Sequence, residues 1–284
     1  MKNRVLYLSL NFISVLFLLY TFIKTSQKNR RFLLPLFLAF TGINYVFEFF
    51  VLVVTKAYAY RPKLYKNRYF DNVFGSTVSQ LFVVPTTSLF ISVFNKSIWW
   101  KLLVALFLST VERIFVKNKI FKHYWWKTTF TFIGLLTFFN IATYWRKLLI
   151  EKELKVIEIL TTFFAIFVCS VTLNFYHVSL LKTCMFNVKI FSDRYRSHVF
   201  LSTIYSVLNA ILFTINIYLK SWRLTALTAF SFFSIEFFFN KLKVIKITSM
   251  LFYPSTFLTK FFSLWIGKYV HGLLHQEQKP EANS

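Results

Sequence analysis

Four acidic side chains sit inside or at the edge of long apolar runs: Glu48, Asp71, Glu112 and Glu236. An ionisable group at mid-bilayer costs ~2.5–3.5 kcal/mol on insertion scales, so it faces protein or a water-filled cavity. Such a group has two uses. It can line a polar pocket or ion path, or it can pair with a nearby Lys or Arg and orient its helix. Glu112 is followed by Arg113, but adjacent helical residues point in different directions, so this pair does not satisfy itself. The candidate polar site is therefore Glu48, Asp71, Gln80, Glu112, Arg113 and Glu236, with structural pairing as the default reading of each.

Other chemistry is sparse. Asn72, Ser76, Ser79 and Thr86, flanked by Gln80, form a stripe at helical spacing, and Gly75 with Ser79 makes a small-xxx-small pair of the kind that lines helix contacts in lipid. Pro85 falls in the same run and predicts a kink, because it frees a backbone carbonyl. A comparable stripe is Ser202, Ser206, Asn209 and Asn216. The five glycines form no phosphate-cradling loop, and there is no HExxH. Cys169 and Cys184 make neither a metal spacing nor a disulfide framework. His271 and His275, at i and i+4, suit a metal face, but no third ligand lies near them in sequence. No catalytic residue, metal or cofactor is expected.

The elements that must position these groups are apolar blocks. Apolar residues make up 56% of 284, and about 20 in a row span the ~30 Å hydrocarbon layer as a helix. Blocks run at 5–23, 32–55, 72–94, 98–116, 128–145, 156–181, 199–219, 224–239 and, more weakly because of Pro254 and Lys260, 247–270. The first follows Lys2 and Arg4 but is long for a signal segment and lacks a small-residue cleavage site, so it reads as a retained span. The expected fold is an all-α, polytopic transmembrane helix bundle of eight or nine spans. Trp99, Trp100, Trp125, Trp126, Trp145 and Trp222 fall at block ends, as an interfacial belt requires.

The net charge of +24 is carried by short clusters between apolar blocks. Nucleic acid needs a continuous basic face, so the expected partners are a bilayer with anionic headgroups and a membrane-protein partner or second copy, not nucleic acid. Basic residues weigh toward the loops on the side of the N-terminus, which predicts a cytoplasmic N-terminus in a cell membrane.

The chain also matches itself. Lys96–Lys122 aligns without gaps to Lys220–Lys246, with nine of 27 positions identical, and sets Glu112 against Glu236. Four spans separate the copies, an even number, so the repeat is parallel. The resulting division is a first span and loop over 1–31, one membrane repeat over 32–145, a second over 146–274, and a disordered polar tail over 275–284.

The runs Phe70-Asp71-Asn72-Val73-Phe74-Gly75, Ser79-Gln80 and Val84-Pro85, then Val111–Phe115 and Trp125-Trp126-Lys127-Thr128, resemble a family of small multi-pass membrane proteins of endospore-forming Firmicutes to which no activity is assigned. The likeness covers about residues 40–135. It implies a bacterial membrane and no mechanism, and it draws notice to Glu48, Asp71, Gln80, Pro85, Glu112 and Trp126. The second half keeps Glu236 but has no counterpart of Pro85 or of the tryptophan pair. The functional expectation is a non-enzymatic structural or accessory membrane component. The alternative is a transporter or channel for a small solute or ion, with a polar pocket between the two repeats.

Overall fold

A computed structural model describes residues 2–275. The tail expected over 275–284 lies outside the described residues except for His275. Helix α1 is Lys2–Lys24 and α2 is Gln27–Val54, interrupted at Arg31 and Phe32. Strand β1 (Tyr58–Tyr60) leads to α3 (Arg68–Val93) and α4 (Ile98–Lys117). Then follow β2 (Phe121–His123) and α5 (Thr128–Arg146), which continues in wide turns over Lys147–Glu151. The second half runs α6 (Lys155–Leu181), β3 (Cys184–Phe186), α7 (Arg194–Tyr218), α8 (Trp222–Lys241), β4 (Ile245–Ile247) and α9 (Phe252–Leu274). Helix–strand–helix–helix–strand–helix thus occurs twice, with α1 before both.

The all-α expectation holds in its main sense: five helices, α1, α2, α3, α6 and α7, are long and apolar enough to cross a membrane. The other four have 20, 19, 20 and 23 residues. Large apolar side chains such as Phe12, Phe107, Leu227 and Phe230 stand more than half exposed, a surface suited to lipid rather than water.

The four short strands were not anticipated. Each is three residues long, too short for an alternating pattern to register. β1 pairs antiparallel with β2 in the register Tyr58↔His123, and β3 pairs with β4 in the register Cys184↔Ile247. Each pairing joins the end of one helix to the end of another two helices later, and satisfies backbone groups that would otherwise be stranded beside the bundle. The two pairs share one face of the molecule, because Arg196, at the start of α7, donates from Nε to the Val53 carbonyl at 2.7 Å and from Nη2 to that of Val54 at 2.8 Å. These are carbonyls of the last turn of α2, which lacks helical partners of its own.

Inside the bundle α6 packs against α2, α7 and α9, while α5 packs against α3 and α4. Phe40, Leu89, Ile91 and Phe139 fill the first-half core. Polar residues tie the second half: Asn209 donates to Ser170 Oγ at 2.8 Å, and Ser170 donates to Ser263 at 2.9 Å, linking α7, α6 and α9. The α7 stripe thus faces its neighbours. α9 is a full member of the bundle, with Lys260 buried rather than lifted to an interface. Around Pro85 the helix widens over Val78–Val83, so that the Val84 amide reaches back five residues to the Ser79 carbonyl. Wide turns of this kind absorb the missing proline N–H and re-aim side chains.

The β1–α3 contact depends on Gly75, where a Cβ would come within 2.4 Å of Tyr60 Cβ. Gly75→Ala is expected to push the strand pair off α3 and cost about 1–3 kcal/mol, read as a lower melting temperature in detergent. Gly134→Ala, which meets nothing within 4 Å, serves as the control and should not destabilise.

Candidate functional site

Two polar centres lie inside the bundle, one in each half. In the first, Glu48 ends the regular part of α2 with its side chain buried. One carboxylate oxygen accepts from Ser76 Oγ at 2.8 Å, and the other accepts from Tyr58 OH at 2.6 Å and Gln80 Nε2 at 3.0 Å. All three donors are neutral and buried. Burial and then the charge of Glu48 hold the Tyr58 phenol well above its ordinary range, so it stays a proton donor. Glu48 stands just before the widened turn Phe49–Val54 and Gln80 lies within the widened turn Val78–Val83, and both side chains face inward.

Beside this cluster is a cavity of ≈ 350 Å³ lined only by residues between Tyr7 and Ile141. It lies within the first half, not between the halves. Gln80, Tyr58, Tyr60, Glu112, Trp126 and Thr131 line the end next to the β1–β2 pair, while Leu108, Leu135, Phe138 and Ile141 line the part further along α4 and α5. Glu112 accepts from His123 Nε2 at 3.0 Å and from Thr131 Oγ1 at 2.6 Å, and Trp126 Nε1 donates to the same threonine oxygen at 2.8 Å. Among the described residues no Lys or Arg contributes to the lining, and Glu112 is the one carboxylate in it. The cavity is amphipathic, with a polar end that favours neutral or cationic groups.

The remaining expected residues lie elsewhere. Arg113 is exposed and outside the lining. Asp71 is a structural acceptor: Oδ1 takes the amides of Leu64 at 2.7 Å and Tyr65 at 2.9 Å, and Oδ2 that of Lys63 at 2.9 Å. It pins the connection between β1 and α3 to the start of that helix. Glu236 belongs to the second centre, where Oε1 accepts from Lys260 Nζ at 2.5 Å and Tyr205 OH at 2.8 Å. Around this pair only ≈ 40 Å³ of space is left, among His177, Cys184 and His198. Burial pushes the Cys184 thiol up to about 12, so it is inert as a nucleophile.

The polar bonds of the two halves correspond at a spacing of 126 residues. Asn67 caps α3 by accepting from the amides of Tyr69 and Phe70, and Asp193 caps α7 by accepting from those of Tyr195 and Arg196. Asp71 holds the amides of Leu64 and Tyr65, and Ser197 Oγ holds those of Ile190 and Phe191. Asn72 accepts from the Tyr60 amide, and His198 Nδ1 from that of Phe186. Gln80 bonds Glu48, and Asn174 bonds Ser206. Lys56 and Lys182, each just past a helix, both take φ 51°.

Sequence reasoning missed the partners rather than the acids. Tyr58, His123, Thr131 and Tyr205 carried no signal, because a lone Tyr or Thr in an apolar chain has many uses. Lys260 had one, a charge in an apolar run, which suggested an interfacial helix rather than a counter-ion. No protein-family model matches the chain, and no curated protein or solved structure is similar to it.

Asp71→Ala should leave three backbone amides without their acceptor and cost about 2–3 kcal/mol, seen as a lower melting temperature and faster proteolysis between residues 61 and 67. Asp71→Ser, which copies Ser197, is expected to recover part of the loss.

Proposed function

We propose that this chain is a non-enzymatic, nine-span protein of a bacterial cell membrane, built from two parallel copies of a four-helix unit, and that its first copy binds a small amphipathic molecule with a neutral or cationic head. The observation that carries the reading is the first-half cavity. Its ≈ 350 Å³ falls in the range of small-molecule pockets, which are mostly apolar with a few convergent polar groups. A head group placed against Glu112, Gln80 and Tyr58 leaves its apolar body among Leu108, Leu135, Phe138 and Ile141. An anionic head would meet a carboxylate and no cation.

The repeat is supported by the recurring element order and by the matching hydrogen bonds of Asp71 with Ser197 and Asn67 with Asp193. With nine spans, both strand pairs and the N-terminus share a face. The basic clusters Lys117, Lys119, Lys122 and Lys241, Lys243, Lys246 lie in or just before β2 and β4, which favours the cytoplasm for that face.

The binding test uses purified protein in lipid nanodiscs with decylamine and decyl sulfate as paired probes. Decylamine should raise the melting temperature and decyl sulfate should not. Glu112→Gln should remove the difference, and Leu108→Trp should fill the cavity and remove the response to decylamine. Equal responses to the two heads in the parent protein, or none, would discard the reading. Uptake of labelled decylamine into proteoliposomes above protein-free liposomes, lost in Glu112→Gln, would replace a binding protein by a carrier.

A further inference from the structure

On the face opposite the strand pairs, three side chains from distant parts of the sequence converge. Glu158 stands in the first turn of α6, and His271 and His275 lie one turn apart at the end of α9. Their ligand atoms all lie within 4.8 Å of one another. His275 Nε2 is 3.1 Å and His271 Nδ1 3.9 Å from the same carboxylate oxygen, Glu158 Oε1.

The hydrogen bonds fix what these atoms can be. His275 Nδ1 lies 2.8 Å from the His271 carbonyl oxygen, which only accepts, so Nδ1 carries the proton. In the neutral ring Nε2 is then a bare lone pair facing a carboxylate oxygen, a contact that repels unless a cation stands between them. His271 Nδ1 is shielded from solvent, has no hydrogen-bond partner among the described residues and looks toward the same oxygen. Among the described residues the sole donor to Glu158 Oε1 other than a histidine is Tyr218 OH, at 2.8 Å. Histidine ligands commonly donate their other ring N–H to a carbonyl, and ligating carboxylates are themselves hydrogen-bonded. His275 and Glu158 have these supports in place.

We propose that Glu158, His271 and His275 bind one divalent transition-metal ion of the zinc class, through Glu158 Oε1, His271 Nδ1 and His275 Nε2. Two imidazoles and one carboxylate form a common three-ligand zinc set, with the fourth position left to water. Zn–N and Zn–O bonds of about 2.0–2.2 Å need donor atoms roughly 3.3 Å apart, so His275 and Glu158 stand near the required spacing and a modest turn of the His271 ring closes the set. The ion would clamp the start of α6 to the end of α9, with Tyr218 at the end of α7 holding the carboxylate. This site is separate from the first-half cavity and stands or falls without it.

The test uses the full chain, purified without a polyhistidine tag, stripped with chelator and titrated with Zn²⁺ and with Co²⁺. One equivalent of Zn²⁺ should bind and raise the melting temperature, and Co²⁺ should develop the visible absorption of a tetrahedral site. Glu158→Gln and His275→Ala should each abolish the bound equivalent and the absorption. Tyr218→Phe, which leaves all three ligands, should weaken affinity by ~10-fold or more. Circular dichroism and a monodisperse elution profile establish that each variant is folded. Retention of one bound equivalent in a folded His271→Ala/His275→Ala double variant would overturn the assignment. So would a folded parent protein that takes up no metal and whose melting temperature responds to pH alone, since the bridging cation would then be a proton on His275.

Discussion

A polar atom removed from water must find its partner within the protein, and in a bundle that presents hydrocarbon on its outside this rule governs nearly every polar contact. Glu48 is the plainest case. Its two oxygens take three hydrogen bonds from a serine, a tyrosine and a glutamine, none of which brings a charge. The donors come from the first strand and from two turns of α3, so a single carboxylate fixes how strand, helix and the widened end of α2 meet. The strand pairs obey the same rule for backbone, as do the asparagine and aspartate caps and the two arginine bonds to the last carbonyls of α2.

The rule also explains what was legible. The long apolar runs announced helices because a bilayer demands their length, and Trp99 and Trp222 stand exposed at helix starts, where an interfacial ring belongs. The buried acids stood out because a charge in an apolar block is costly. Their partners did not, since pairing is decided by which helix faces come together. Lys260 shows the difference. In sequence it weakens the ninth apolar run, whereas in the fold it meets Glu236, 24 residues away. Glu158 and the C-terminal histidines are farther apart still, and only the packing of α9 on α6 joins them. The three-residue strands escaped because their pairing is a consequence of where helices end.

The likeness of the halves is carried less by side-chain identity than by the bond each position makes. Asp71 and Ser197 share no charge, and Asn72 and His198 share no shape, yet both members of each pair accept from a backbone amide at the same place in the connection after a short strand. An acceptor is needed there because the chain turns back into the bundle and exposes its amides. Any acceptor that reaches the amide meets the need, so the two halves share the bond without sharing the residue, and their sequence identity is concentrated around Glu112 and Glu236.

Where the halves differ, the difference accounts for one being hollow. At the spacing that aligns α3 with α7, Ser79 in the first half answers to Tyr205 in the second, and at the spacing that aligns α5 with α9, Leu136 answers to Lys260. Tyr205 and Lys260 are the two side chains that reach Glu236. Lys260 pairs with its charge and Tyr205 donates a hydrogen bond to it, and their bulk fills the space around it, leaving ≈ 40 Å³. Ser79 and Leu136 can do neither for Glu112, which is held by His123 and Thr131 at the rim, so ≈ 350 Å³ stays open in front of it. A buried ion pair whose desolvation is offset by close contact makes a strut. Glu112, bonded to His123 and Thr131, stands beside an open cavity instead. Two differences, one on each facing helix, thus separate a filled half from a hollow one.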